Sequence, residues 1–470
     1  MVSRSPAILA LVVSTLAGTL AGGAFAEDET EATVRAYAAG YKAAFTCSAI
    51  FNGHKTLEQI KAHELTGIYP KYQDIVNTLP DALIDRDTLT VSVPYSDGMP
   101  PRISAHRGEI GCIQLPVGAT KADLNKLPSL YVLYDFMHPT HYPWKALNPD
   151  SGFDKLNTLL DTAFNDKAYG KDAVTTALLV ATPETLLSEN YIEGFDIHTS
   201  QRTWSVAKSI AATLVGAAAH QGKLDVLAPA SIGEWQSPVD PRKAITLDNL
   251  LRMASGLDSN RAGNRTDPIY VGGGRMSDTA TENPLEAMPG TRWKYANNDT
   301  MLAVRVLRST FKDKNDYIGF PEGLFHRLGM NDTRAETDWE GNFIMSSQVW
   351  TTSRDLARLG ILYLQNGIWE GKRILPEGWV EYVSSPTGPQ PPEKRADGSA
   401  IAGYGAQFWL FNERFPNIPN DTFAAMGNRG QYLVIIPSKN LVIVRRGYDP
   451  AGGEGFKIDK FIEDVLAALE

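Results

Sequence analysis

Ser205 and Lys208, three residues apart in Thr203-Trp204-Ser205-Val206-Ala207-Lys208-Ser209, are the residue types and the spacing most able to do chemistry in this chain. A serine hydroxyl is a weak nucleophile until something removes its proton. An ammonium cannot do so. A lysine desolvated at the start of a buried helix can, because burial disfavours its charged form. On a helix the three-residue spacing places both side chains on one face, and the free N–H groups of a helix start can hold an anion. A second Ser-x-x-Lys, Ser309 to Lys312, closes an amphipathic run and precedes a polar loop. It is expected to be a solvated helix end.

Two further stretches could complete such a site. In Trp293-Lys294-Tyr295-Ala296-Asn297, which follows the turn Met288-Pro289-Gly290-Thr291, a tyrosine near a lysine could lose its proton more easily and relay protons. The asparagine two residues on offers a donor and an acceptor to Lys208 or to a substrate carbonyl. The alternative is a loop tyrosine with an N-cap asparagine. In Gly427-Asn428-Arg429-Gly430-Gln431, two glycines let a substrate approach the backbone, and an N–H opposed to that of Ser205 would form an oxyanion hole. The alternative is a glycine hairpin or bulge. His138 and His141 lie in a proline-bound loop with no carboxylate or cysteine at ligand spacing. They suit a pocket rim better than a metal site.

These stretches need elements to hold them. Ile210, Ala211, Leu214, Val215 and Ala218 recur at helical spacing after Ser205, with Gly222 as a stop. The pattern predicts a helix over 153–164, strands over 175–181 and 185–187, then the Ser205 helix and a helix over 246–253 with Thr246 as N-cap. A long Gly- and Asn-rich loop over 257–286 is of the kind that shapes binding sites. Helices follow over 297–311, 317–328, 353–364 and 376–383, strands over 404–411, 422–426, 430–436 and 441–446, and a helix over 456–469. Strands on either side of a helical middle, closed by a last helix, imply one antiparallel sheet. The first and last helices would cover one face and the helical middle the other. Ahead of this, residues 27–126 read as a small α+β module, with helices over 31–45 and 56–65 and strands over 88–93, 102–105 and 109–115. Nothing in it suggests chemistry, so it is read as a cap or brace.

With 43% hydrophobic residues in 470 the chain can bury a large core, and a net charge of −9 argues against nucleic acid or an anionic membrane as partner. Residues 1–26 have a positive start, an apolar core and an Ala24-Phe25-Ala26 cleavage site, the pattern of an export signal. A periplasmic or secreted location follows, with no membrane span after cleavage; an uncleaved anchor is the alternative. Cys47 and Cys112 are the only cysteines, too few for a zinc or iron–sulfur site. In an oxidising compartment they pair most simply, closing a loop of about 65 residues worth roughly 4 kcal/mol. Two buried free thiols are the alternative.

Together the three motifs resemble the serine β-lactamase and DD-peptidase superfamily, and most closely its class C-like branch, which also holds esterases and aminohexanoate-dimer hydrolases. The segments 250–257, 328–330 and 352–360 are similar to the family's framework signatures, and the resemblance covers roughly 153–469. It implies an α+β fold: a β-lactamase-like antiparallel sheet flanked by the terminal helices, with an all-helical subdomain, behind the small N-terminal module. The division expected is a signal peptide at 1–26, the module at 27–126, a linker at 127–150 and a hydrolase domain at 151–470. The resemblance also implies roles. Ser205 would be the acylated nucleophile, Lys208 its base partner and Tyr295 the acid–base relay. Asn297 would position Lys208 and substrate. Asn428-Arg429-Gly430 would stand where the family has Lys-Thr-Gly or His-x-Gly, with the N–H of Gln431 in the oxyanion hole. Asn428 replaces the cation that helps lactamases hold a substrate carboxylate. That departure favours a small ester or simple amide substrate, unless Arg429 substitutes in a register shifted by one. No cofactor or metal is expected. A β-lactamase or peptidoglycan peptidase is the second reading, and a catalytically silent binding protein on the same fold the third.

Overall fold

The computed structural model describes residues 30–135, 137–147, 153–165, 167–259, 267–276 and 280–470. The export signal expected at 1–26 lies outside the described residues, as do parts of the linker and of the 257–286 loop.

The chain opens with α1 (Glu31–Phe51), capped by the Thr30 hydroxyl, which accepts from the Thr33 N–H. A helical turn at Leu57–Gln59 runs into a π-helical turn at Ile60–Glu64. Then comes α2 (Pro70–Thr78), started by a proline in its first turn. Strands β1 (Leu83–Asp85), β2 (Thr90–Val93), β3 (Arg102–His106) and β4 (Cys112–Gln114) form a four-stranded antiparallel sheet in that order. Helix α2 and strand β1 were not expected. Cys47 on α1 and Cys112 on β4 are joined by a disulfide, which ties the helix to the sheet.

The larger sheet has eight strands. They are β5 (Ala146–Leu147), β6 (Thr175–Ala181), β7 (Thr185–Tyr191), β13 (Gly403–Tyr404), β14 (Trp409–Leu410), β15 (Phe423–Gly427), β16 (Gln431–Ile436) and β17 (Leu441–Gly447), in the order β13-β14-β15-β16-β17-β6-β7-β5. The intervening strands lie apart. β8 (Gln201–Arg202), β9 (Arg334–Ala335) and β10 (Val349–Thr351) make a three-stranded sheet, and β11 (Ile368–Trp369) pairs with β12 (Lys372–Arg373). The large sheet is antiparallel except at its edge, where β5 runs parallel to β7. The single strand expected over 404–411 is broken into β13 and β14, because Gln407 takes φ 66° to reach hydrogen bonds described below.

Side chains alternate across the sheet as the two-residue period demands. Leu178, Val180, Val434 and Ile443 face α3 (Asp154–Asn165) and α8 (Ile458–Ala468), meeting Leu156, Leu160, Phe461 and Ile462. Leu179, Leu433, Ile435 and Val444 face the other way, toward α4 (Val206–His220) and α7 (Ser353–Leu364). Each large apolar side chain buried in this way contributes about 1.5–3 kcal/mol. Helices α5 (Asn297–Ser309) and α6 (Lys314–Leu328) complete the helical layer, with short helices at Leu247–Leu251, Asp267–Tyr270 and Trp379–Ser384. The layered arrangement is the one expected. Helix α4 differs in one respect. Its pattern predicts one buried face, yet Val206 to Ala218 are buried all round. The cause is its place between sheet and helical layer, where small residues allow close approach. A Cβ on Gly216 would stand 2.5 Å from Trp379.

Candidate active site

Ser205 stands immediately ahead of α4 as its N-cap residue, but its hydroxyl makes no capping bond. It lies instead 3.1 Å from Lys208 Nζ, as the one-turn spacing requires. Lys208 is 1% exposed. Its Nζ donates to Asn297 Oδ1 at 2.6 Å and to the Ser346 carbonyl at 2.7 Å. Burial lowers its pKa well below the ordinary value, and the nearby Arg202 guanidinium adds to the effect. A neutral amine has two N–H groups and one lone pair. The two N–H groups go to the two fixed acceptors, which leaves the lone pair aimed at the Ser205 hydroxyl. That is the geometry of a base poised to take the serine proton.

Asn297 is the first residue of α5. The N-cap is Ala296, so the reading of Asn297 as a simple cap does not hold. Its carboxamide reaches Lys208 because α4 and α5 are braced together. Ser209 Oγ donates to the Gln407 carbonyl at 2.6 Å, Thr300 Oγ1 to Gln407 Oε1 at 2.7 Å, and Gln407 Nε2 to the Leu251 carbonyl at 2.7 Å.

The Ser205 hydroxyl lies near enough to the Tyr295 phenol to favour its ionised form slightly, and Lys208 Nζ stands 5.0 Å from the centre of the Tyr295 ring. Sequence reasoning has the lysine easing the loss of the tyrosine proton, and this is corrected. Burial raises the Tyr295 pKa well above the ordinary value, and no lysine charge opposes it. The same burial that favours the neutral form of Lys208 weakens the cation that would have stabilised a phenolate. Tyr295 is therefore a neutral phenol, able to donate and accept at the serine oxygen. Its ring stacks on Trp409 at 5.5 Å and meets Tyr404 edge-on at 6.1 Å.

The third motif divides. The residue of this hairpin that meets the helix start is Gly427, where a Cβ would come within 2.3 Å of the Thr203 carbonyl and 3.2 Å of Ser205 N. Only glycine lets the strand lie so close. Asn428 follows it, exposed, with Nδ2 donating to Tyr69 Oη at 3.3 Å. The other three face elsewhere. Arg429 is 5% exposed at φ 58°. Its guanidinium donates to the main-chain carbonyls of His63, Thr66, Tyr448 and Asp449, so it does not substitute for a cation at the pocket. A Cβ on Gly430 would collide with the Arg445 guanidinium at 1.6 Å, so that glycine serves the Arg445–Asp449 ion pair rather than a substrate. Gln431 pairs with Gly427 across the hairpin, and its buried carboxamide bonds Gly447 and Arg446. The register read from sequence is thus shifted toward Gly427.

Several contributors gave no signal in the sequence. Ser346 supplies the second acceptor for Lys208, and its hydroxyl is bonded to that of Tyr270. Tyr270 sits on a short helix inside a stretch expected to be loop. Arg202 bonds Ser347 Oγ at 2.7 Å and its carbonyl at 3.1 Å, and lies 3.8 Å from the Trp204 ring centre. Trp204, just before Ser205, takes φ 50°, and Met253, Gln407 and Arg429 nearby are also at positive φ. Such conformations gather at functional sites, where the surrounding packing sustains their cost. Ser309 is not part of the group. Its hydroxyl turns back to the Val306 carbonyl. His138 stacks on Tyr142 at 4.2 Å.

The β-lactamase family model matches residues 161–445. The chain is 25% identical over 296 residues to the 6-aminohexanoate-dimer hydrolase of Paenarthrobacter ureafaciens, covering 58% of this chain and 73% of that protein. Among solved structures it is similar to a novel penicillin-binding protein homolog from Caulobacter crescentus, at TM-score 0.55 and 14% identity over 69% of this chain and 99% of that one. It is similar also to a family VIII carboxylesterase, at TM-score 0.53 and 15% identity, with coverage of 69% and 99%. These two likenesses speak to the fold.

Proposed function

Because the chain belongs to the β-lactamase family of serine hydrolases, we propose that it is an exported esterase or amidase that works through an acyl-enzyme on Ser205. The observation that carries this reading is the arrangement around Lys208, a buried amine with two fixed acceptors and its third direction on the Ser205 hydroxyl. Lys208 takes the serine proton as Oγ attacks the substrate carbonyl. The tetrahedral oxyanion is held by the Ser205 N–H with the amides of the Gly427–Asn428 turn. Tyr295 passes its proton to the leaving group and takes in its place the one that Lys208 received, which leaves both groups neutral, and water then reverses the sequence to release the acid. The neutral Asn428, with Arg429 turned away, supports a small ester or simple amide over a β-lactam that carries a carboxylate. The Cys47–Cys112 bridge supports a periplasmic or secreted location, and with it cleavage near Glu27.

The test is a panel of short p-nitrophenyl esters and a chromogenic cephalosporin, with wild type and Ser205→Ala. Turnover of the esters that disappears in Ser205→Ala supports the proposal. Ester turnover that survives the substitution contradicts it, and faster turnover of the cephalosporin than of any ester moves the substrate class to β-lactams.

A further inference from the structure

The N-terminal module lies outside the segment matched by the family, yet it reaches the residues on both sides of Ser205. Tyr69, on the segment leading into α2, meets the ring of Trp204 edge-on, with centroids 6.1 Å apart at 90°. Trp204 immediately precedes Ser205. The Tyr69 hydroxyl accepts from Asn428 Nδ2 at 3.3 Å, and Asn428 follows the glycine that lies against Ser205 N. The segment that carries Tyr69 is fixed to the same hairpin and to the chain just after β17. Arg429 donates to the His63 carbonyl at 2.9 Å and to the Thr66 carbonyl at 2.6 Å, and the Ala451 N–H donates to the Gly67 carbonyl at 2.9 Å. Exposure marks the mouth. Asn428 is exposed and Tyr69, Ser205, Gly427 and Tyr295 are half-buried, whereas Lys208, Asn297 and Arg429 are buried behind them.

We propose that Tyr69 is a specificity-determining residue, forming with the Asn428 carboxamide a neutral hydrogen-bonding rim that the N-terminal module adds to the Ser205 site. This rests on Ser205 being the nucleophile. A phenol and a carboxamide offer donors and acceptors without charge. An uncharged polar group close to the scissile bond, such as an acylamino group, exchanges its water for this rim at little cost. A carboxylate there gives up its hydration to a phenol and a carboxamide, which carry no charge to replace it. The substrate class is therefore a neutral ester or amide with an amide-like group beside the bond cleaved.

The experiment uses the full mature chain as wild type, Tyr69→Phe and Tyr69→Arg. The substrates are the p-nitrophenyl esters of butyric acid and N-acetylglycine and the mono-p-nitrophenyl ester of succinic acid, and a fluorophosphonate probe reports on Ser205. Tyr69→Phe is expected to lower kcat/KM for the acetylglycine ester relative to the butyrate about three- to tenfold, the worth of one neutral hydrogen bond. Tyr69→Arg is expected to raise the succinate-to-butyrate ratio about tenfold or more. Both ratios within about twofold of wild type, with the probe still labelling the variants, overturn the inference. Should Tyr69→Arg not fold, the Tyr69→Phe ratio decides alone. A wild type that the probe does not label at Ser205 overturns the nucleophile itself, and this inference with it.

Discussion

Two buried lysines in this molecule meet opposite fates. Lys55 is enclosed where the N-terminal module joins the large sheet, its Nζ 2.6 Å from the buried carboxylate of Glu64 and bonded also to Tyr448. Lys208 is enclosed beneath Ser205, and its contacts are a carboxamide, a carbonyl and a hydroxyl. Burial pulls both pKa values down. At Lys55 the Glu64 charge opposes that pull. Burial alone would raise Glu64, yet the Lys55 ammonium holds it below the usual carboxylate range. At Lys208 no carboxylate among the described residues opposes, and the Arg202 guanidinium pushes the same way. Burial is common to the two sites, so the partner decides. A carboxylate keeps a buried lysine as a charged strut, whereas neutral acceptors leave it an amine with a lone pair to use.

The largest effect that could break this contrast is on catalysis. Lys208→Met is expected to lower turnover of a short p-nitrophenyl ester about 10²- to 10⁴-fold, the range of a lost general base, and to leave the far-UV CD spectrum native. Lys55→Met is expected to leave kcat of the folded fraction near wild type. Equal losses of kcat in the two variants would erase the distinction. Next comes Tyr295→Phe, expected to reduce kcat by about 10²-fold or more with KM little changed, because only a proton-handling hydroxyl is removed. An unchanged kcat would place the relay on Lys208 alone.

The strut is tested by stability. Lys55→Met leaves the buried Glu64 carboxylate without its ammonium partner, which is expected to cost about 3–5 kcal/mol in urea unfolding. The double variant Lys55→Met with Glu64→Leu should recover most of that loss. A double variant as unstable as the single one would contradict the pairing. The smallest effect concerns Glu336, which burial raises to about 7 while Ser48 Oγ, Asn52 Nδ2 and the Cys112 N–H bond its carboxylate. The folded state holds this proton more tightly than the unfolded chain. Its stabilising contribution is thus complete below the ordinary glutamate value of 4.5 and lost as the pH rises through about 7. The decline of Tm between pH 5 and 8 should be shallower in Glu336→Gln, measured by scanning calorimetry at several pH values. An unchanged slope would show that Glu336 is already ionised in the fold.

What could be read in the sequence was whatever follows from local periodicity. Strand β6 and helix α7 begin and end where a short apolar run and helical spacing place them, and Ser205, Lys208, Tyr295 and Asn297 converge as their motifs suggest. Choices set by distant contacts were not legible. Gly427 and Gly430 look equivalent in a turn sequence, yet one is required by the Thr203 carbonyl and the other by Arg445. Arg429 reads as a spare cation, and only the fold shows its charge tied to four carbonyls. Ser346 and Tyr69 lie far along the chain from Ser205, and no spacing rule connects them to it.

The most direct test of the central claim is the pH dependence of fluorophosphonate labelling, followed by tryptic peptide mapping. A single adduct is expected on the peptide Thr203–Lys208, forming at a rate that rises with pH to a plateau. Its midpoint should lie well below the ordinary lysine value of 10.5, because Lys208 must be neutral to act. An adduct on another peptide, or a labelling rate still rising at that ordinary value, would contradict it.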